Sequence, residues 1–232
     1  VPVTHGQKLD RAARLAGDVG TYQYRTDVLQ TTHPTLRLEN AGRQPETSRM
    51  TVDGAVNRAN AFMEMTIWAP GTGTDGLELK VLDGKAYGRS ESDGDWTEIE
   101  NPSDVFAPGG DPFGFVAATE NVQVPSAISD PDATSYTFDI NGLKFAQKIS
   151  TQLEAELRRT GELPHGVTLG VARQYVDMKG SGKLWLNDDG LPIRQTIHLE
   201  FPPKKGAVDW VEADITTDFS NWDTRGVDNQ LF

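Results

Sequence analysis

Four histidines, His5, His33, His165 and His198, and a surplus of carboxylates are the side chains of this chain most able to do chemistry. No two histidines stand at the helical spacing that gathers metal ligands. His198 falls on the polar side of an alternating segment and reads as a solvated or locally hydrogen-bonded imidazole. Acidic clusters at residues 91–95, 130–132 and 187–189 offer oxygens to calcium, yet none has the twelve-residue loop closed by a glutamate. All three coincide with turns, where Asp and Asn are favoured for backbone reasons. No carboxylate pair for glycoside hydrolysis stands out among so many acids. There is no Gly-x-Ser-x-Gly elbow, phosphate loop or dinucleotide fingerprint. Gly180-Ser181-Gly182 lies inside a strand pattern and reads as a bulge or bend. The absence of cysteine removes disulfides, thiolate chemistry and Cys-based zinc sites. The expectation is a protein with no catalytic residues, no metal site and no cofactor.

What remains is apolar. Tyr22, Tyr24, Met50, Met63, Met65, Ile67, Leu79, Val81, Met178, Leu184, Ile197 and Leu199 all sit on the inward side of alternating segments. All four methionines of the chain are among them, and methionine adapts its shape to varied apolar partners. Such a set lines either a pliable cavity or an ordinary packed core. Phe106, Phe113 and Phe115 make residues 102–118 the most aromatic stretch, suited to a lid over that set.

Strands must position these residues, because a period of two sends alternate side chains to opposite faces. The clearest case is 183–201, where Leu184 and Leu186 on one arm and Ile193, Ile197, Leu199 and Phe201 on the other flank the turn Asn187-Asp188-Asp189-Gly190. Further strands are read at 19–31, 47–58, 61–68, 77–82, 85–88, 96–99 and 135–140, with a long one at 208–219. Leu36 and Leu38 suggest another short strand. Residues 6–16 suit a short helix. Residues 143–159 suit a longer one, with Leu143, Ala146, Ile149, Leu153 and Leu157 on one side, Asn141 as cap and Gly161 as stop. The order reads as one antiparallel meander interrupted by a helical insertion at 102–118. A sheet of about ten strands cannot stay flat, since strand twist accumulates. The expected fold class is therefore α+β: residues 1–232 as a single domain, a strongly curved antiparallel half-barrel, with helices covering its concave face.

A net charge of −12 argues against nucleic acid, and against an anionic membrane surface, as electrostatic partners. It leaves an apolar ligand open, since burial needs no charge. No run of about 18 apolar residues is present to span a membrane. The chain begins at Val1, which reads as a mature or trimmed form whose export signal, if any, was removed.

The chain resembles the LolA-like superfamily of bacterial lipoprotein carriers and lipoproteins of the LppX and LprG type. The likeness is carried by the N-terminal helix before Gly20-Thr21-Tyr22-Gln23-Tyr24, by Asp83-Gly84-Lys85-Ala86-Tyr87 followed by Trp96, by the central helical insertion, and by the late hairpin from Leu184 to Arg194. It extends over nearly the whole chain as pattern and order. It implies an extracytoplasmic half-barrel in the periplasm or at the cell surface, anchored through a segment not present in this chain. It implies a lipid, acyl chain or other apolar small molecule as ligand, and no catalytic residue. Two rivals stand beside it: an envelope-protein interaction or signalling module with a filled core, and a carboxylate-dependent hydrolase.

Overall fold

The computed structural model describes residues 4–57, 62–72, 76–82, 85–90, 94–99, 113–125, 133–164 and 166–223. Thr4 caps the first helix, α1 (His5–Asp18). Its hydroxyl accepts from the Gln7 amide at 3.3 Å, and the Gln7 side chain accepts from the Thr4 amide at 2.8 Å. Two donors that a helix start leaves unpaired are thereby satisfied. Leu9, Ala12, Leu15 and Ala16 are its buried side.

Six strands follow: β1 (Thr21–Pro34), β2 (Glu46–Asn57), β3 (Phe62–Trp68), β4 (Leu77–Leu82), β5 (Lys85–Arg89) and β6 (Thr97–Ile99). After a 3₁₀ turn, Val116–Ala118, come β7 (Thr119–Gln123) and β8 (Thr134–Asn141). Helix α2 (Gly142–Thr160) and a single turn, α3 (Arg173–Val176), lead to β9 (Lys179–Leu186), β10 (Pro192–Phe201) and β11 (Asp209–Asp223). Asn141 caps α2 by accepting from the Lys144 amide at 3.0 Å, and Gly161 ends it in the left-handed region at φ 80°.

All eleven strands belong to one antiparallel sheet in the order β6-β5-β4-β3-β2-β1-β11-β10-β9-β8-β7. It is open, a strongly curved half-barrel, with β6 and β7 as its edges. This corrects the expectation of one continuous meander. Two meanders are joined by their longest strands, since β1 pairs with β11 from Thr21–Asp223 to Pro34–Asp209. β6 and β7, successive among the described strands, therefore stand at opposite edges of the sheet. Phe113, ahead of β7, lies on the core face, stacked on Phe219 of β11 at 4.7 Å between ring centroids.

Three other expectations change. Leu36 and Leu38 form no strand; Leu38–Asn40 is a 3₁₀ turn, held by the buried Asn40 amide. The glycines of 180–182 mark no bulge, because β9 keeps continuous register with β8 and the register shift of its pairing with β10 falls between Pro192 and Arg194. They mark close approach instead: a Cβ on Gly182 would lie 2.5 Å from the Phe138 ring. The long helix is rotated from the expected side: Ala146 is buried and Ile149 packs on the core as expected, but Leu143 and Leu153 are exposed and Phe145 is fully buried in their place. Phe145 stacks on Phe115 at 4.7 Å and meets Tyr175 edge-on at 5.2 Å, so the largest apolar side chain of the helix sets its rotation.

Candidate functional site

The cross-strand registers put a largely apolar face on the sheet. It is crossed at its centre by a polar row, in which half-buried Thr26 and buried Thr217 share a hydrogen bond at 2.9 Å beside buried Gln195. Met50 lies opposite Val28, Val56 opposite Tyr22 and Met63, Met63 opposite Val81, and Met65 opposite Leu79. Beyond β1 the same face continues through Phe219, Ile215, Ile197, Leu184 and Tyr136. Tyr22, Tyr24, Met65, Ile67, Leu79, Phe113, Phe115, Met178, Leu184, Ile197 and Leu199 are all buried in a single cluster on it. Met50 and Met63 are half-buried against that cluster, and Val81 is half-buried beside Met63. Phe106 lies outside the described residues, as do all of residues 102–112 of the expected helical insertion.

Cover is uneven across this face. Helix α1 packs on β7 and β10, and α2 packs on β8, α3 and the 3₁₀ turn at Val116–Ala118. The half formed by β7 to β10 therefore lies beneath helices. The half formed by β2 to β4 carries the partly open residues Met50, Val56, Met63, Leu77 and Val81. Between the two halves stands an aromatic wall. Tyr22 stacks on Trp222 at 4.6 Å, Phe113 lies 6.4 Å from both, and the Trp222 indole donates to the Pro192 carbonyl at 2.8 Å. The Tyr24 ring lies over Gly54, where a Cβ would come within 2.3 Å of it. Burial pushes the Tyr24 phenol well above its ordinary value, and nearby Tyr22 adds to the effect.

Phe145, Phe219, Trp222 and Tyr136 complete this core and were missed from sequence. The signal for Phe219 was present, in the alternation of the last strand. Phe145 lies off the leucine spacing that pointed to the other side of its helix.

The opposite face is polar. Across β9, β10 and β11, Ser181, His198 and Asp214 stand in one row by register. They border a concavity of about 470 Å³ that Asn121, Thr137 and Asp139 also line. The row has the residue types of a nucleophile, base and orienting acid, but its hydrogen bonds differ. His198 Nδ1 meets Asp214 Oδ1 at 2.8 Å, while Nε2 faces Glu200 at 3.6 Å rather than a hydroxyl. The hydrogen bond to Asp214, with Glu200 behind it, raises the His198 pKa. A raised pKa favours the charged imidazolium, which suits an ion-pair partner of Asp214 and Glu200 better than a base aimed at a hydroxyl. His33 stacks on Trp210 at 4.2 Å and pairs with Glu212 at 2.9 Å. His165 and the acidic residues 91–93 and 130–132 lie outside the described residues, and 187–190 form the β9–β10 turn. Among the described residues no group of three or more His, Asp or Glu is arranged around a metal position, and no helix is long and apolar enough to cross a membrane.

No family model and no curated protein matches this chain. Solved structures similar to it include the lipoprotein LppX of Mycobacterium tuberculosis, at 12% identity and TM-score 0.49, covering 97% of each chain. A LolA superfamily protein of Nitrosomonas europaea is similar at 12% identity and TM-score 0.30, covering 100% of this chain and 98% of that one. A DUF1329 family protein of Desulfovibrio piger is similar at 13% identity and TM-score 0.30, covering 98% and 95%. The first two are of the groups that the sequence pattern resembles.

Proposed function

We propose that this chain is a non-enzymatic extracytoplasmic domain that binds a lipid, an acyl chain or another apolar molecule on the core face of its sheet. The reading rests on one observation: apolar side chains line the core face on both sides of the polar row of Thr26, Thr217 and Gln195, while the principal helix contacts fall on β7, β8 and β10. The half-buried residues Met50, Val56, Met63 and Val81 are the ligand contacts in this reading. The buried set, from Tyr22 and Tyr24 through Met178 and Leu199, forms the floor and wall behind them. Burial of about ten methylenes at about 0.8 kcal/mol each gives a gross gain in the micromolar range before ordering costs.

The test is titration with a fluorescent fatty-acid probe. Saturable uptake, weakened about tenfold or more by Met63→Lys at unchanged fold, supports the proposal. Absence of uptake by the wild type refutes it. A second reading, an envelope-protein interaction module, is favoured by the deep burial of Leu184, Ile197 and Met178 in a filled cluster. Capture of one protein partner by a chain that takes up no probe would select it.

A further inference from the structure

The connection after β1 and the turn between β10 and β11 form a single tip of the sheet, because Pro34 lies opposite Asp209. The tip is fastened throughout. The Thr35 amide donates to the Val208 carbonyl at 2.8 Å, and its hydroxyl reaches the Ala207 and Val208 carbonyls at 3.0 and 2.8 Å. Buried Asn40 donates to the Thr35 carbonyl at 2.9 Å and the Val208 carbonyl at 2.6 Å. Arg37 reaches the Gly206 carbonyl at 3.0 Å, and Arg43 joins Asn40 Oδ1 at 2.8 Å to Asp209 at 3.0 Å.

On this frame stand Leu36 and Leu38, 106% and 95% exposed, well above every other large hydrophobic among the described residues. Val208, also exposed, sits beside them. A loop bonded this completely cannot fold back to hide its leucines. The charge of the tip is also opposite to that of the protein. Segments 35–45 and 202–209 carry Arg37, Arg43, Lys204 and Lys205 against Glu39 and Asp209, a local net charge of +2 in a chain of −12. Arg43 pairs with Asp209 and Arg37 with Glu39, so the surplus is Lys204 and Lys205. Lys204 and Lys205 are exposed.

We propose that this tip docks the domain on an anionic bilayer. Leu36 and Leu38 enter the boundary between headgroups and acyl chains, and Lys204 and Lys205 lie over the lipid phosphates. Isolated apolar side chains projecting from a rigid tip with basic flanks suit an interface that is greasy below and anionic above. The acidic remainder of the molecule is repelled by the same surface, which turns the tip toward it. The expectation from overall charge, that an anionic membrane is no partner, is thereby reversed locally. The inference is independent of the apolar ligand, because neither leucine lies on the core face.

The test is co-sedimentation of the chain with phosphatidylcholine vesicles, with and without phosphatidylglycerol. Binding that requires phosphatidylglycerol, weakens with salt, and falls about tenfold or more in L36S/L38S supports the proposal. K204E/K205E should lower it as well. Both variants change exposed side chains, so thermal melting should be unmoved, and probe uptake should be retained. Failure of the wild type to bind phosphatidylglycerol vesicles, or equal binding by L36S/L38S, overturns the proposal. So does capture of a protein partner through Leu36 and Leu38 without vesicle binding.

Discussion

Replacing Gly182 with alanine places a methyl group where the Phe138 ring atoms would lie at 2.5 and 2.6 Å and the Thr196 carbonyl oxygen at 2.9 Å. Real Cβ atoms do not come so close, so the ring must tilt and β9 must separate from β10. Overpacking of this kind costs about 1–3 kcal/mol. Removing a strand glycine returns about 0.5–1 kcal/mol through the unfolded chain. The ring has some freedom, but the Thr196 carbonyl belongs to the backbone of a central strand, so the cost wins. The net destabilisation is about 1–2 kcal/mol, or about 2–8 °C in Tm for a protein of this size. Urea denaturation and calorimetry measure it. Phe138→Leu removes the ring atoms nearest the new methyl, so the double variant should be more stable than the two single losses predict, by at least about 0.5 kcal/mol. A neutral or stabilising Gly182→Ala, with additive effects in the double variant, would refute close packing and restore the bulge that the sequence suggested.

Three further outcomes follow from the same geometry. Phe145→Ala, which empties a fully buried site between Phe115 and Tyr175, should cost about 3–5 kcal/mol in urea denaturation, whereas Leu153→Ala on the exposed side should cost less than about 1 kcal/mol. Asn141→Ala removes the acceptor of the Lys144 amide and should cost about 1 kcal/mol, with Asn141→Ser close to wild type by the same measurement. His198 has a raised folded-state pKa, so its ion pair stabilises below the ordinary histidine value and is lost as pH rises through the folded one. Its 40% exposure keeps the effect below about 1 kcal/mol. His198→Gln should therefore lower Tm slightly at about pH 5.5 and leave it unchanged at about pH 9.

Much of this architecture could be read from alternation. The strands at β2, β3 and β4 alternate clearly enough that their inward apolar residues were identified one by one. In β10 the buried Gln195 interrupts the pattern, and β8 was read as a strand without its inward residues. β7 escaped notice because Thr119-Glu120-Asn121-Val122-Gln123 has only one apolar residue, and a register irregularity between Glu120 and Gln123 spoils its period. The pairing of β1 with β11 joins residues almost at opposite ends of the chain. No local signal encodes it, since both strands satisfy the same alternation with any neighbour. The rotation of α2 was misjudged because leucine spacing was weighed without the aromatic partners that seat Phe145. The exposed pair Leu36 and Leu38 looked like a strand because alternation does not distinguish an inward face from an outward one. Only the hydrogen bonds of Asn40 and Thr35 show which way they point.

Native mass spectrometry of the wild-type chain, purified without detergent and then incubated with phospholipid, tests the apolar-ligand reading most directly. One tightly held lipid mass per chain, present in the wild type and lost from a folded Met63→Lys variant, is the predicted result. A bare protein mass both before and after incubation would contradict it.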